Sequence, residues 1–150
     1  MNPEELFDEC CTEIDSAYVR LGHTLGWRFL TCPRSSFVEY PKVALVTLNP
    51  AGSRDYPELP RRSQEDGSAY IIESWDGVCA GTAPLQRQIR KFFELIASRT
   101  GVSSGDALLA ASLTANFVPF RSARLKTLQN KSASLAFSEM LWAKILNRTR

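Results

Sequence analysis

The sequence has a single histidine, His23, and its four cysteines, Cys10, Cys11, Cys32 and Cys79, form no CxxC pair. Without a second histidine or a cysteine pair at ligand spacing, a structural zinc or iron–sulfur site is not expected, and the four thiols read as reduced. Neither GxGxxG nor GxxxxGKS/T occurs, which argues against the commonest dinucleotide and nucleoside triphosphate binders. No cofactor is expected. No apolar run approaches the ~18 to 20 residues that span a bilayer. The N-terminus, MNPEELFDECCTEID, is acidic where a secretory signal would be basic and then apolar, so a cytoplasmic location without a membrane partner is expected.

What is present suits one globular domain. The 150 residues are 44% hydrophobic and 23% charged, enough chain to bury a proper core. The net charge of +2 is too small to argue for nucleic acid by itself, yet it is unevenly spread. Residues 1 to 20 carry six carboxylates and one Arg, whereas residues 121 to 150 carry seven Lys or Arg and one Glu. Such polarity can present a basic face to phosphates, or simply mark a solvated helix at each end.

The stretch around which the chain is arranged is Lys42 to Arg54, KVALVTLNPAGSR. Val43, Ala44, Leu45, Val46 and Leu48 show no polar face, as expected of a parallel strand covered on both sides. The turn Asn49-Pro50-Ala51-Gly52-Ser53 follows at its carboxyl end, where open α/β sheets bind ligands. Pro50 holds Asn49 extended, and Gly52 can take backbone angles closed to other residues. Asn49 is then a stiffly held amide at the sheet rim.

The remaining elements follow from periodicity. Residues 3 to 22 predict a helix with Leu6, Cys10, Ile14, Ala17, Tyr18 and Leu21 inward, capped by Asn2-Pro3 and ended by Gly22. Gly26 to Thr31 is a short edge strand or an extended connection, with Trp27 and Phe29 as core, and His23 beside it is structural. Ala51 to Thr82 is a long polar connection in which Tyr70-Ile71-Ile72 could form a short strand and Trp75 faces either ligand or core. Thr82-Ala83-Pro84 opens a helix, Thr82 as cap, with Leu85, Ile89, Phe92, Phe93 and Ile96 buried and Gln86, Arg87, Arg90, Lys91 and Glu94 wet. Ser112 to Val118 predicts a second buried strand, with Asn116 near its carboxyl end. A last helix, from Ser132 or Ser134 to Asn147, is apolar nearly all round and calls for burial on more than one side. Together with a thin sheet, it leads us to expect a homo-oligomer.

The order Leu48-Asn49-Pro50-Ala51-Gly52, Trp75, Pro84-Leu85-Gln86-Arg87-Gln88 and Ala115-Asn116-Phe117-Val118-Pro119-Phe120-Arg121-Ser122 resembles the uracil-DNA glycosylase superfamily. The resemblance implies an α/β fold, a three-layer α/β/α domain around a short parallel sheet, with DNA as partner. Asn49 looks like the catalytic Asn of the family's first motif, which places the attacking water, with Pro50, Ala51 and Gly52 beside it on the substrate. Asn116 looks like the Asn that reads a flipped uracil, since one carboxamide can donate to O4 and accept from N3–H. Trp75, Tyr56 and Phe120 are the candidates for stacking on the base, and Arg121 and Arg124 for DNA phosphates. Position 51 is Ala where related enzymes often have Gly or Tyr, the iron–sulfur cysteine pattern is unmatched, and the His- or Asn-Pro-Ser motif has no counterpart. A domain incomplete at its C-terminus is therefore expected. The implied function is hydrolysis of the N-glycosidic bond of a flipped uracil or related base; the alternative is a non-catalytic nucleobase- or partner-binding module on the same fold.

Overall fold

A computed structural model describes residues 2–39, 41–54 and 58–148. Tyr56, one of the stacking candidates, lies outside the described residues. The chain is mixed helix and strand: α1 (Pro3–Arg20), α2 (Ser35–Val38), β1 (Ala44–Thr47), α3 (Ala69–Ile72), α4 (Pro84–Thr100), α5 (Gly105–Ala110), β2 (Leu113–Asn116), a 3-10 turn (Leu125–Thr127) and α6 (Lys131–Arg148). β1 and β2 form a two-stranded parallel sheet with Ala44, Leu45, Val46 and Thr47 opposite Leu113, Thr114, Ala115 and Asn116.

Residues 26 to 31 prove to be an extended connection that does the work of an edge. Trp27 bridges Phe120 and Leu30 bridges Ala115, both antiparallel, so the segment lies along the side of β2 away from β1. The far side of that segment is in turn met by the long loop, with Phe29 N–H donating to Arg61 O at 2.8 Å and Leu30 N–H to Arg62 O at 3.1 Å. Arg61 and Arg62 of the loop are thus tied down by backbone pairing, ahead of its short helix α3.

α1 starts on a capping box: Asn2 Oδ1 accepts from Glu5 N–H at 2.8 Å while the Glu5 carboxylate accepts from Asn2 N–H at 3.0 Å. Its inner face, Leu6, Phe7, Cys10, Ile14 and Ala17, joins Trp27, Phe29, Leu30, Ala115, Phe120, Leu141 and Ile145 in the main core. Lys144 of α6 pairs with Glu9 and Glu13 of α1 at 2.6 and 2.7 Å, so part of the charge polarity between the termini is spent on joining them. A second, smaller cluster, Tyr70, Phe93 and Leu109 with Leu45, Trp75 and Ile89, ties α3, α4 and α5 to β1.

Several expectations are corrected. β1 is not covered on both sides: Val46 and Leu48 are 40% and 50% exposed. Its Leu45 packs with Tyr70, Phe93 and Leu109 and its Thr47 meets Tyr70, but Ala44 and Val46 open onto a groove bounded by Leu113, Phe117, Trp142 and Leu146 that no element among the described residues fills. Tyr70-Ile71-Ile72 belongs to a helical turn, because Ser68 O accepts from both Ile71 and Ile72 N–H and leaves no edge for a strand. The cap of α4 is Ala83, not Thr82, whose hydroxyl donates to Cys79 O. The α4 stripe is rotated: Gln86, Phe93 and Ala97 are buried, while Leu85, Phe92 and Leu95 are about half exposed. Gln86 takes the inner position because its side chain accepts from Ala83 N–H and donates to Ala69 O and Glu73 O, closing the helix start onto α3. α6 is covered on one side only, through Ser134, Ser138, Leu141, Trp142 and Ile145, with Met140 and Leu146 facing outward. Its serines can turn inward because Ser138 bonds back to Ser134 O and Ser134 to Gln129 O.

Candidate functional site

Successive residues of a strand point to opposite faces, so the register that pairs Thr47 with Asn116 also puts their side chains on one face. Thr47 Oγ1 lies 3.1 Å from Asn116 Oδ1, and the Asn116 Nδ2 donates to Arg28 O at 3.2 Å. A backbone carbonyl only accepts, so the amide nitrogen must be on that side. The 3% exposed Asn116 is thereby fixed in one orientation, with one N–H and one oxygen lone pair unused among the described residues.

Asn49 comes to the same place from the turn after β1. Its Nδ2 donates to Ser122 Oγ at 3.0 Å and to Pro50 O at 3.2 Å, which leaves Oδ1 as an acceptor with no partner among the described residues. Gly52 is needed for space rather than for unusual backbone angles: a Cβ there would lie 2.8 Å from Arg121 Cβ. The turn is compact because the Arg121 side chain folds against it.

Asn49, Pro50, Ala51, Trp75, Asn116 and Arg121 of the expected set line one cavity of about 170 Å³. Gly52, Phe120 and Arg124 do not. Phe120 is instead core, stacked on His23 with ring centroids 4.2 Å apart and packed on Phe137 at 5.7 Å. β2 has ended before it, and its bridge to Trp27 turns the ring to the main core. Arg124 is exposed, at the start of the 3-10 turn. Cavities for drug-sized ligands run to about 300–1,000 Å³, so this one is sized for a single small ring.

The cavity lining also includes a buried charge that the sequence expectations leave out, Arg28, with its partners behind it. Arg28, 2% exposed, makes a two-pronged ion pair with Glu73 at 2.8 and 2.5 Å, and Gln64 Nε2 and Trp75 Nε1 donate to the same carboxylate at 2.6 and 2.7 Å. Burial pushes the Glu73 carboxyl up, but the Arg28 guanidinium, helped by Trp75 and Gln64, outweighs it and holds the group below the ordinary carboxylate range. One signal was available: in GWRFLT a charged residue sits between two aromatics, and a charge inside a core segment needs a buried partner.

Trp75 is held by that bond and by Tyr70, whose ring it meets edge-on at 5.4 Å. It stands at the first position of a turn in which Val78 N–H donates to Trp75 O at 3.1 Å, with Asp76 and Gly77 both at positive φ, 54° and 72°. Asp-Gly suits this mirror-image turn. Tyr70 also lines the cavity; burial raises its phenol, and its hydroxyl meets Thr47 and Thr31. The two aromatics together give the cavity both an apolar wall and a fixed edge.

Among the described residues no group of three or more His, Cys, Asp or Glu could hold a metal, and no helix is long and apolar enough to cross a membrane. Cys10 is buried, and burial pushes its thiol up to about 12, so it is no nucleophile at neutral pH. His23 is buried beside Ser134, 2.9 Å from its hydroxyl, and does not line the cavity. Comparison with protein-family models, curated proteins and solved structures finds no match to this chain.

Proposed function

We propose that this chain is a uracil-DNA glycosylase-like protein, a three-layer α/β/α domain whose cavity takes a flipped uracil or related base of DNA. The observation that carries the reading is that Asn49 and Asn116, from the ends of the two parallel strands, line one base-sized cavity, with the Asn116 carboxamide held in a single orientation. The unused N–H and lone pair of Asn116 form a donor and acceptor pair that complements O4 and N3–H of uracil and opposes the reversed pattern of cytosine.

Catalysis in this reading needs a water placed on the glycosidic carbon. Asn49 Oδ1 is the acceptor that would hold it, its plane set by the bond from Nδ2 to Ser122. Departure of the base as an anion is eased by the Asn116 N–H donor. An amide is not a general base at neutral pH, so turnover is slow beside that of a carboxylate-bearing relative.

The test is incubation of the purified chain with uracil-containing single- and double-stranded DNA followed by alkali. Strand breaks at uracil that vanish in Asn49→Ala support the reading. Intact DNA with both proteins removes the catalytic part.

A second reading, a non-catalytic nucleobase-binding module, is favoured by one observation. The buried carboxylate nearest in the network, Glu73, stands behind Arg28 rather than in the cavity lining, and it is occupied on both oxygens by Arg28, Gln64 and Trp75, with no capacity left for activating water. Calorimetric titration with uracil separates the two: binding that Asn116→Ala abolishes, without any strand breakage, selects the module.

A further inference from the structure

The parallel sheet is closed on one side and open on the other. Leu113 N–H donates to Val43 O and Phe117 N–H to Thr47 O, so Val43, Leu45 and Thr47 turn their backbone groups toward β2. Ala44 and Val46 then direct theirs the opposite way, where no strand or loop among the described residues receives them. The outer side of β2 is treated differently: Thr31 N–H donates to Thr114 O and Asn116 N–H to Phe29 O, and that segment is covered in turn by Arg61 and Arg62. An open edge is ordinarily blunted by a charge, a proline or a bulge within it. β1 has none of these; its register is unbroken, and the nearest charges are Lys42 before it and Arg54 well after it. Ala44 and Val46 also line the apolar groove of about 460 Å³ that Phe117, Trp142 and Leu146 bound, with Val46 40% and Leu146 58% exposed. Hydrogen-bonding edge and apolar face therefore coincide at the same two residues.

We infer that a second copy of this chain docks on this edge, β1 against β1 and antiparallel, to give a closed twofold dimer. Antiparallel pairing that sets Ala44 opposite the partner's Val46 is repeated by the twofold, and it satisfies every outward N–H and C=O group of both residues in both copies. Opposed side chains share a face, so Ala44 and Val46 of the two copies lie together and the two grooves run into one apolar surface. Charge favours the same register. It sets Lys42, the charge nearest the edge, opposite the partner's Leu48, so no like charges meet. The result is one four-stranded sheet in the order β2, β1, β1, β2, with strand addition as the mode of recognition. The dimer is independent of the base-binding reading, because the cavity lies on the other face of the sheet, that of Thr47.

The experiment is sedimentation equilibrium of the full chain over a range of concentrations, with backbone hydrogen exchange on the same samples. The mass is expected to rise from that of one chain to twice that and to stop there, while the Ala44 and Val46 amides gain protection as the dimer forms. Val46→Lys puts a charge into the middle of the pairing at a position 40% exposed, outside the core. It is expected to weaken association by about tenfold or more and leave those amides in fast exchange, with the native thermal transition kept. Met140→Lys, 73% exposed on α6 and outside the groove lining, is expected to change neither. If Val46→Lys does not fold, the concentration dependence of Ala44 and Val46 protection in the native chain decides alone. A single-chain mass at every concentration overturns the inference, whether those amides exchange freely or are covered by the chain itself. A folded Val46→Lys chain that dimerises as the native chain does places the contact elsewhere and overturns it too, as does a mass that climbs past two chains.

Discussion

The Asn49 carboxamide donates to the Ser122 hydroxyl at 3.0 Å, and this bond joins the loops that leave the two strands. Ser122 in turn donates to Arg124 O at 2.9 Å, so one hydroxyl couples the Asn-Pro turn to the segment after β2. Ser122→Ala is expected to cost about 1 kcal/mol, the net worth of a typical hydrogen bond, read as a lower urea midpoint at unchanged m-value. If Asn49 places water as proposed, the same variant lowers turnover more than uracil affinity. A variant with native turnover shows that the bond is a structural staple only.

The Arg28–Glu73 pair sits at 3% and 8% side-chain exposure, where an unpaired charge cannot be solvated. Removing one partner, by Arg28→Met or Glu73→Leu, is expected to cost about 3–5 kcal/mol. The double variant is expected to lose much less than the sum, because no charge is then stranded. Urea unfolding of the native chain, both singles and the double gives the coupling directly. Additive losses would show that the two side chains act through separate contacts.

How much of this was legible in the sequence depended on the type of signal. α1 followed from a capping pair and a run of apolar residues, both local. β2 followed from SLTANFV because it is buried on both faces. β1 has an equally apolar run, but burial belongs to neighbours, and no element among the described residues covers Val46. The two asparagines could be named from the turn and from a polar residue in an apolar strand, yet their meeting depends on a parallel register that is non-local. Gln86 was misplaced for the same reason: polar at its position, it is inward because three backbone groups of α3 and the α4 start need it. Phe120 is a stacking candidate by type and place in order, and type alone does not say which way a ring faces.

Gly52 gives the site its sharpest steric limit. A methyl group there would press on Arg121 Cβ at 2.8 Å, and Arg121 lines the cavity. Gly52→Ala is expected to destabilise by about 1–3 kcal/mol, as overpacking does, unless the turn moves outward. Either outcome displaces Arg121, so ligand affinity should fall with stability. A Gly52→Ala chain with native melting temperature and native ligand affinity would mean the turn accommodates a side chain freely.

The final expectation concerns pH. Burial pushes the His23 imidazole below its ordinary value of 6.5, and its neighbours are rings and a hydroxyl: Phe120 stacked at 4.2 Å, Tyr18 at 6.2 Å and Ser134 Oγ at 2.9 Å. No charged group is among these contacts to repay protonation. As pH falls through 6.5, the unfolded chain takes up a proton at His23 before the folded chain does, which favours unfolding. The stability that neutral His23 contributes is therefore fully present above 6.5, is lost between 6.5 and the lower folded value, and changes no further below it. Glu73, held below the ordinary carboxylate range by Arg28, adds a second loss only at more acidic pH. Urea midpoints at about pH 7.5 and about pH 5.5 should differ in the native chain, and His23→Gln, which has no proton to gain there, should narrow the gap. An equal gap in both chains would assign the dependence to other groups and remove His23 from the account.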